Sequence, residues 1–282
     1  QWNLNGSPLA NETNSTLNIT SPGSYSILVS YQNGCNLYSQ SISITNVGTI
    51  PLPIISKLGQ SEGSAFKIFD RRYGSTGSET IECLQKTENN EILIGGNTSQ
   101  GSANGDISQN YRGENDYLII KTDSVGNKIW DKRFGGGFQD YLKQIRLTSN
   151  GDILAFGNSN SYIGNDKTVG IENNQIDDIW LVKLKSDGTK RWDKVYGGTG
   201  YDNVSDVLSL PNNEFIMAGN TDSEMSATIS QPSRSSQDYW ICKIDSAGTR
   251  LWDKRFGGSG MDLLKYIRKT SDGGYILAGE SN

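Results

Sequence analysis

Apolar runs of strand length recur along most of this chain, and turn-forming residues separate them. From about residue 79 onward the runs come in groups of four. Turn sequences such as "SNG", "PNN", "SVGN" and "SAGT" lie between the first and second runs or between the third and fourth. Glycine and asparagine tolerate the positive φ of tight hairpin turns. Since no run of ten residues keeps a 3.6-residue period without such a turn residue, the pattern predicts antiparallel strands.

One seven-residue motif closes each complete group of four runs, and a related copy precedes the first group. It reads "FDRRYGS" at 69–75, "WDKRFGG" at 130–136, "WDKVYGG" at 192–198 and "WDKRFGG" at 252–258. Four short strands repeated with a period of roughly 60 residues are typical of a β-propeller blade. The sequence therefore predicts an all-β fold that contains a partial β-propeller ring of four-stranded antiparallel blades.

The propeller region is predicted to span 66–282, and the motif divides it into blades. The pieces are a closing strand at 66–74, blades at about 79–135, 140–197 and 202–257, and a half blade at 262–282. A propeller ring often closes when a terminal strand completes the blade at the other end, so the lone strand is expected to complete a blade beyond residue 282. Residues 48–65 hold two prolines and three glycines and are interpreted as a linker.

The aromatic residue that opens each motif is predicted to pack between neighbouring blades. These residues are Phe69, Trp130, Trp192 and Trp252. Alternation along the strand places Trp130, Lys132 and Phe134 on one face. A buried indole removes about 150–250 Å² of surface from water, so a repeated blade contact is a sufficient reason for the repeated residue. Stacking on a ligand is the alternative, although a ligand rarely needs the same residue from every blade.

Composition excludes several classes of function. Lys and Arg number 26 against 31 Asp and Glu, and the net charge of −5 argues against nucleic acid as a partner. No stretch of 18 apolar residues is present, so no membrane span is predicted. Histidine is absent, which rules out Ser–His–Asp and Cys–His arrangements within these residues. The carboxylates recur with the scaffold and are interpreted as turn caps and lysine partners, and no catalytic residue is assigned.

The three cysteines match neither a zinc site nor a disulfide framework. They are interpreted as small buried side chains, except that Cys35 could instead have paired with a cysteine upstream of this sequence. The chain begins at "QWNLNG" and stops inside a repeat at "YILAGESN". It is therefore interpreted as a fragment of a longer protein.

Two segments carry a family resemblance. "WDKVYGGTGYDNVSDVLSLPNNEFIMAGNTDS" and "WDKRFGGSGMDLLKYIRKTSDGGYILAGES" resemble the SBBP-type β-propeller repeat. "TDSVGNKIW" and "IDSAGTRLW" also resemble the docking hairpin of quinoprotein propellers, a likeness of blade packing that implies no quinone cofactor. The longer units are similar to repeats in large secreted or surface proteins of Bacteroidota. The resemblance covers about residues 66–282 and implies a six- to eight-bladed ring, export by the type IX secretion route and a secreted or cell-surface location.

Residues 1–47 differ from the repeats. "GSYSILVSYQNGCNLYSQSISITNV" alternates apolar and polar residues in two runs joined around "QNGC". This segment resembles the C-terminal part of an Ig-like or PKD-like module. A complete module of this kind needs about 100 residues, so the resemblance implies a partial β-sandwich.

The loops between the second and third strands are the predicted recognition surface. They span 101–115, 162–177 and 224–237, and their sequences differ while the scaffold repeats. Carboxylate and amide oxygens on turns suit Ca²⁺, and no cofactor other than Ca²⁺ is predicted. The first loop, which also resembles "NDGDVSGN" loops of the family, offers Asn104, Asp106, Ser108, Glu114 and Asp116. The second loop offers Asn165, Asp166, Glu172, Asn173, Asp177 and Asp178, and simple solvation is the alternative for both.

Three further loop residues are candidates for binding a glycan. Tyr111 and Tyr162 could stack on a sugar, and Arg112 could donate paired hydrogen bonds to one. Anchoring of the loops is the alternative.

Two serines are candidates for O-glycosylation. "DSV" at 123–125 and "DSA" at 245–247 match an Asp-Ser/Thr-apolar pattern used in Bacteroidota, which would place sugar on Ser124 and Ser246. Both serines also lie in predicted hairpin turns, where Asp and Ser are favoured without any modification.

The function expected from these features is a non-catalytic extracellular or cell-surface propeller module. It would bind a glycan or a surface protein through the three loops, or serve as a structural spacer beside other domains of the same polypeptide. The alternative is a hydrolase or lyase that acts on extracellular polysaccharide, with active-site residues partly outside this sequence.

Overall fold

The computed structural model describes most of the repeat region and short parts of the N-terminal region. The described residues are 2–5, 7–8, 23–30, 36–38, 42–44, 54–61, 64–99, 103–170, 176–234 and 236–282. They contain β-strands and one short 3₁₀ turn at Pro211–Asn213, and no α-helix occurs among them. The predicted all-β fold is confirmed. The chain divides into two compact units, Gln1–Pro51 and Leu52–Asn282.

The first unit is an antiparallel sheet of short strands. Its strands are β1 (Trp2–Leu4), β2 (Ser7–Pro8), β3 (Gly23–Ser30), β4 (Asn36–Tyr38) and β5 (Ile42–Ile44). They are arranged in the order β2-β1-β3-β4, and β5 pairs with β3 as well. The assignment to an Ig-like module stays a prediction, and Cys35 lies outside the described residues.

The second unit contains three four-stranded sheets and two hairpins. The first hairpin consists of β6 (Ile54–Ser61) and β7 (Ser64–Arg72), and the last hairpin consists of β20 (Asp262–Lys269) and β21 (Tyr275–Ser281). The first sheet contains β8 (Glu79–Lys86), β9 (Ile92–Ser99), β10 (Asn115–Thr122) and β11 (Lys128–Phe134). The second sheet contains β12 (Asp140–Leu147), β13 (Ile153–Ser159), β14 (Asp178–Leu184) and β15 (Lys190–Tyr196). The third sheet contains β16 (Asp202–Leu210), β17 (Glu214–Thr221), β18 (Asp238–Ile244) and β19 (Arg250–Phe256).

Each sheet is antiparallel, and its strands follow the order of the chain. The sheets fall within the predicted blade boundaries. The linker predicted at 48–65 differs from the structure, because residues 54–61 form β6 and pair with β7. The two prolines and the glycine around "IISKLGQS" obscured the alternation of this strand in the sequence.

The core of the second unit lies between successive sheets. One apolar cluster joins Tyr117 and Phe134 of the first sheet to Leu142 and Trp180 of the second sheet. The ring centroids of Tyr117 and Trp180 are 4.9 Å apart. Similar clusters join the second sheet to the third and the third sheet to the last hairpin. The inner strands are buried on both faces, which explains why their sequences are nearly continuous apolar runs.

An asparagine near the end of each second strand connects its sheet to the next one. Its side-chain oxygen accepts the N–H of a residue in the first strand of the following sheet. The bonds join Asn97 to Leu142 (2.6 Å), Asn158 to Val204 (2.9 Å) and Asn220 to Leu264 (2.5 Å). The bonds of Asn97 and Asn220 are buried and that of Asn158 is partly buried, so all three help to fix the position of each sheet relative to the next.

The aromatic residues that open the motif lie against the turn of the next hairpin. The pairs are Phe69 with Gly126, Trp130 with Gly188 and Trp192 with Gly248. A Cβ on Gly248 would lie 2.8 Å from the Trp192 ring, so a side chain there would displace the indole. The three glycines have φ values of 81°, 82° and 72°, which non-glycine residues rarely adopt. Trp252 is half-buried against the cluster between the third sheet and the last hairpin.

A glycine in each second strand faces a β-bulge in the first strand. At this position in the third sheet, a Cβ on Gly219 would lie 1.8 Å from the carbonyl oxygen of Asn203. The register shift between Val204 and Asp206 moves that carbonyl toward the glycine. The bulge therefore excludes every side chain at this position.

We expect Gly219→Ala to lower the free energy of unfolding by about 1–3 kcal/mol, because the new methyl group must displace backbone. Gly137→Ala is the matched control, since a Cβ on Gly137 meets nothing within 4 Å. Urea denaturation of both variants measures the difference. Equal stability of the two variants would contradict the bulge geometry.

Candidate functional site

The predicted recognition loops lie along the outermost strand of their own sheets. In each loop a Ser or Thr donates its backbone N–H to the aspartate of the repeated motif. The bonds join Ser108 to Asp131 (2.7 Å), Thr168 to Asp193 (2.9 Å) and Ser230 to Asp253 (3.0 Å). The loops therefore cover edges that would otherwise expose unpaired backbone groups.

In two of the three sheets, a glutamine of the loop also accepts a backbone N–H of the outermost strand. Arg133 donates its backbone N–H to Gln109 Oε1 at 2.7 Å, and Arg255 does the same to Gln231 Oε1 at 2.7 Å. The triplet "ISQ" at 107–109 and 229–231 carries this anchor. The sequence reasoning treated the loops as unrelated and missed it, although the repeated triplet was a visible signal. The second loop has Val169 at the place of the glutamine.

A buried cation lies beside each loop. In the first and third sheets it belongs to the fourth strand, and in the second sheet it belongs to the loop. In the first sheet Arg133 Nε lies 2.6 Å from Asp116 Oδ2, and in the third sheet Arg255 Nε lies 3.3 Å from Asp238 Oδ2. The equivalent residue in the second sheet is Val195.

In the second sheet the cation is Lys167 of the loop, which is only 2% exposed. Ile107 and Ile229 occupy its position in the other two loops, and both are buried. The first and third sheets thus have an isoleucine in the loop and an arginine in the strand. The second sheet has the cation in the loop, as Lys167, and the apolar residue in the strand, as Val195.

The exchanged cation binds the same acceptors as the arginine it replaces. Lys167 Nζ donates to Ser159 Oγ at 2.7 Å and to the carbonyl oxygen of Ser161 at 2.8 Å. In the third sheet Arg255 Nη2 donates to Thr221 Oγ1 at 3.1 Å and to the carbonyl oxygen of Ser223 at 2.7 Å. Ser159 and Thr221 are equivalent, since they pair with the first aspartate of their sheets.

Two buried carboxylates, Asp178 and Asp202, lie next to each other beside Gly197. A Cβ on Gly197 would lie 2.1 Å from Asp178 Oδ1 and 2.6 Å from Asp202 Oδ2. Burial and the charge of Asp202 raise the pKa of Asp178 to about 8, and Lys167 opposes that shift. Burial also raises the pKa of Asp202 to about 6, against hydrogen bonds that stabilise its charged form. Similar pairs recur at Gly135 and Gly257, so they belong to the scaffold.

An open groove of about 800 Å³ lies between the second and third sheets. It is lined by residues 169–170, 194–199, 226–228 and 248–250. The groove thus combines parts of two predicted loops with an edge strand and a hairpin turn that the sequence analysis did not include.

Two cationic side chains, Lys194 and Arg250, line the groove. Lys194 Nζ donates to the carbonyl oxygen of Gly248 at 3.1 Å and lies 5.4 Å from the centroid of the Trp192 ring. Arg250 is paired with Asp253 at 2.6 Å. Lys194 has no carboxylate partner among the described residues. Thr199 and Thr249 add exposed hydroxyl groups.

The five calcium candidates of the first loop bind separate parts of the protein. Asn104 accepts the N–H of Thr76, Asp106 that of Gly74, and Ser108 binds Asp131. Glu114 accepts from Gln139, and Asp116 pairs with Arg133. In the second loop, Glu172 and Asn173 lie outside the described residues. Among the described residues no three His, Cys, Asp or Glu side chains gather to hold a metal.

The three glycan candidates differ in their surroundings. Arg112 Nε pairs with Asp166 Oδ2 at 2.8 Å and so connects the first loop to the second. Tyr162 packs edge-on against Phe138, with ring centroids 5.4 Å apart. Tyr111 is 54% exposed. None of the three lines the groove.

The two O-glycosylation candidates lie in hairpin turns. Asp123 Oδ1 accepts the N–H groups of Val125 and Asn127, which makes the turn around Ser124 self-capped. Ser246 accepts Lys183 Nζ at its carbonyl oxygen at 2.8 Å, which connects the second sheet to the third. Both serines are half-buried, and their modification stays a prediction.

The two described cysteines, of which Cys83 is half-buried and Cys242 is buried, have weakly acidic thiols. Burial raises the pKa of the Cys83 thiol to about 11 and that of the Cys242 thiol to about 12. Both are free cysteines. Their low reactivity agrees with a role as small packing residues.

Fold and site define the class of protein as an all-β repeat protein whose four-stranded antiparallel sheets carry edge-covering loops. The sequence matches no family model and no curated protein. In the part of the chain that the structure describes, no helix has the length and apolar character needed to cross a bilayer.

Proposed function

We propose that this chain is part of a non-catalytic extracellular or cell-surface β-propeller module that binds a glycan. The observation that carries the proposal is the groove between the second and third sheets. It is open along its length, and it is lined by residues from two of the loops whose sequences vary between repeats. The SBBP-type resemblance supports the location outside the cell and the ring arrangement of the sheets.

The lining of the groove favours an acidic sugar chain. Lys194 supplies the positive charge, because the charge of Arg250 is balanced by Asp253, while Thr199 and Thr249 carry both hydroxyl and methyl groups. Sugars offer C–H faces and O–H edges that match such a surface. A carboxylated sugar would add a charge-assisted bond to Lys194, which is stronger than a neutral hydrogen bond.

The polysaccharide hydrolase or lyase remains the alternative, and the paired carboxylates do not favour it. Asp178 and Asp202 lie beside the groove and have raised pKa values, as acid–base catalysis needs. However, their exposed fractions are 5% and 0%, so no substrate reaches them. The same pairing occurs at Asp116 with Asp140 and at Asp238 with Asp262, where no groove is described.

Binding to an array of neutral and uronic-acid-containing glycans tests the proposal. We expect Lys194→Ala to weaken the binding of an acidic glycan by about tenfold or more, since a charge-assisted bond is worth about 1.5–3 kcal/mol. Thr199→Trp should block the groove sterically.

Lys132→Ala is the matched control, because Lys132 has the equivalent position in the first sheet and lies outside the groove. An equal loss in both lysine variants, or no glycan bound by the unaltered chain, would overturn the proposal. Release of reducing sugar from an array glycan would support the hydrolase instead.

A further inference from the structure

The groove lies along a strand edge that is capped differently from the same edge in the neighbouring sheets. In the first and third sheets, a glutamine oxygen of the loop accepts the backbone N–H of Arg133 or Arg255, at 2.7 Å in both cases. In the second sheet the equivalent residues are Val195 in the strand and Val169 in the loop. A valine side chain has no acceptor atom, so this loop cannot cap the strand in the same way.

The N–H of Val195 points away from its sheet. The register of the third and fourth strands is the same in all three sheets, where the pairs are Trp180 with Val195, Leu118 with Arg133 and Trp240 with Arg255. In an antiparallel ladder, residues at an equivalent register direct their N–H groups to the same side. Since both arginines direct theirs to a loop, Val195 directs its own outward as well. Among the residues that the structure describes, none accepts this N–H.

The outward N–H faces the groove. Val195 and Val169 both line it, together with the next loop residue, Gly170. Val195 is half-buried and Val169 is exposed. A Cβ on Gly170 would lie 3.5 Å from its nearest neighbour, Ile163, so the loop leaves room at this point. A molecule that enters the groove can therefore reach the strand edge.

A cation lies next to this N–H along the strand. Lys194 lines the groove, and it has no carboxylate partner among the described residues. Its Nζ donates to the carbonyl oxygen of Gly248 at 3.1 Å and lies 5.4 Å from the centroid of the Trp192 ring. Hydrogen bonds to a charged acceptor are stronger than those to a neutral one. The combination of an ammonium group and a backbone N–H therefore favours an anionic oxygen over a neutral amide oxygen.

We propose that a ligand carboxylate takes the place of the glutamine that the second loop lacks. One of its oxygens accepts the N–H of Val195, and Lys194 offsets its charge. This inference rests on the proposed glycan groove and names the group that the groove recognises, the carboxylate of a uronic acid. The neighbouring sheets place an sp² oxygen at this point, and a carboxylate oxygen has the same geometry. The exposed hydroxyl group of Thr249 lines the same groove and matches the ring hydroxyls of a sugar.

Nuclear magnetic resonance of the whole chain labelled with ¹⁵N-valine tests the contact directly. The probe is sodium glucuronate, and its uncharged methyl ester is the control. We expect glucuronate to move the Val195 amide proton downfield until the site is saturated. The methyl ester should bind about tenfold more weakly, because it offers only neutral acceptors. Val195→Ile removes the labelled valine and so identifies the resonance.

Val169→Gln tests the replacement from the side of the protein. This variant restores the residue that caps the strand in the other two loops, so it should fill the site of the carboxylate. We expect its Val195 amide to lie downfield without any probe, and its affinity for glucuronate to fall by about tenfold or more. Val169→Leu is the matched control, because leucine is similar to glutamine in size and has no acceptor atom. It should keep most of the affinity.

Three results would overturn the inference. The first is a Val195 amide that glucuronate leaves in place in the unaltered chain, a measurement that needs no variant to fold. The second is an equal loss of affinity in Val169→Gln and Val169→Leu, which would mean that the loop acts through bulk alone. The third is a triglutamate peptide that shifts the amide at a lower concentration than glucuronate, which would assign the contact to a protein partner.

Failure of this inference is distinguishable from failure of the proposed function. Acidic glycans that bind on the array while the Val195 amide stays in place would retain the glycan groove and remove the carboxylate contact. A saturable shift with glucuronate, without any glycan bound on the array, would retain the carboxylate site and remove the function as a glycan-binding module.

Discussion

Replacing Lys167 by isoleucine should lower the free energy of unfolding by about 3–5 kcal/mol, the usual cost of removing one partner from a buried charge group. The substitution recreates the residue found at this position in the other two loops, where Ile107 and Ile229 are buried. In the second sheet, however, Lys167 is the cation that bonds Ser159 and Ser161 and opposes the rise in the pKa of Asp178.

Adding Val195→Arg to this variant should restore much of the lost stability. The arginine would stand where Arg133 and Arg255 stand in the neighbouring sheets, in reach of the acceptors that Lys167 leaves. Val195→Arg alone should be destabilising by about 1–3 kcal/mol, because it crowds a second cation into a packed position. The two residues should therefore show a coupling of about 2 kcal/mol or more.

Denaturation midpoints and slopes for the four proteins of this double-mutant cycle measure the coupling. The same cycle at Ile107 and Arg133 of the first sheet, exchanged to lysine and valine, provides the control. Additive losses in the second sheet would mean that the two cations do not serve one set of acceptors.

The second large effect concerns equivalent aspartates that should respond oppositely to the same substitution. Asp238→Asn should lower the free energy of unfolding by about 3–5 kcal/mol, since it leaves the buried Arg255 without its counter-charge. Asp178→Asn should instead stabilise the protein above neutral pH. Asp178 has no arginine partner among the described residues, and it must lose its proton in a buried site next to Asp202.

The sign of the pH dependence follows from the raised pKa of Asp178. The carboxyl titrates near its ordinary value of 3.8 in the unfolded chain and near 8 in the folded chain. Its favourable contribution is complete below about pH 4, and it is lost as the pH rises through about 8, because the folded state holds a proton that the unfolded state has released. The advantage of Asp178→Asn over the parent should therefore be small at pH 4 and largest above pH 8.

Melting temperatures of the parent and both variants at pH 4, 6 and 8.5 test this pair of expectations. The gain for Asp178→Asn should reach several degrees at pH 8.5. A loss of similar size in both variants at that pH would show that Lys167 fully replaces the arginine as a counter-charge. A gain in both would show that neither aspartate depends on a cation.

The sequence predicted the strands and their grouping because the pattern is repeated. A run that could be read as a strand or a helix in one copy is recognised as a strand when all copies are compared. Each apolar run appears several times at one spacing, and glycines mark the turns. It failed at β6, where Pro51, Pro53 and Gly59 have the composition of a linker although the register of the strand matches that of the complete sheets. A single copy of a diverged strand carries too little pattern to be recognised alone.

The candidate site was harder to predict, because it depends on which residues reach the same point in space. Ser108 stays a predicted calcium ligand, and the sequence did not show that its backbone N–H and its hydroxyl donate to Asp131. The exchange between Lys167 and Val195 joins positions 28 residues apart in different elements, and neither position is unusual by itself. Sequence spacing cannot reveal that Lys167 binds Ser159 and Ser161, the acceptors that an arginine at position 195 would reach.

Each loop is anchored to its sheet by a short segment in its interior. The rest of the loop can therefore differ in sequence without disturbing that anchor. The segment from Ile229 to Gln231 holds the third loop to its sheet, while the residues between Gln231 and Asp238 connect that anchor to the next strand. Side-chain changes in this connecting stretch leave the bonds of Ser230 and Gln231 intact, although they can remove the bonds that the side chains of Arg234 and Ser236 make to Gly257 and Gly260. The sequence of this stretch can therefore change, in evolution or by engineering, and alter what the loop binds. The bonds of Ser230 and Gln231 continue to hold the loop to its sheet.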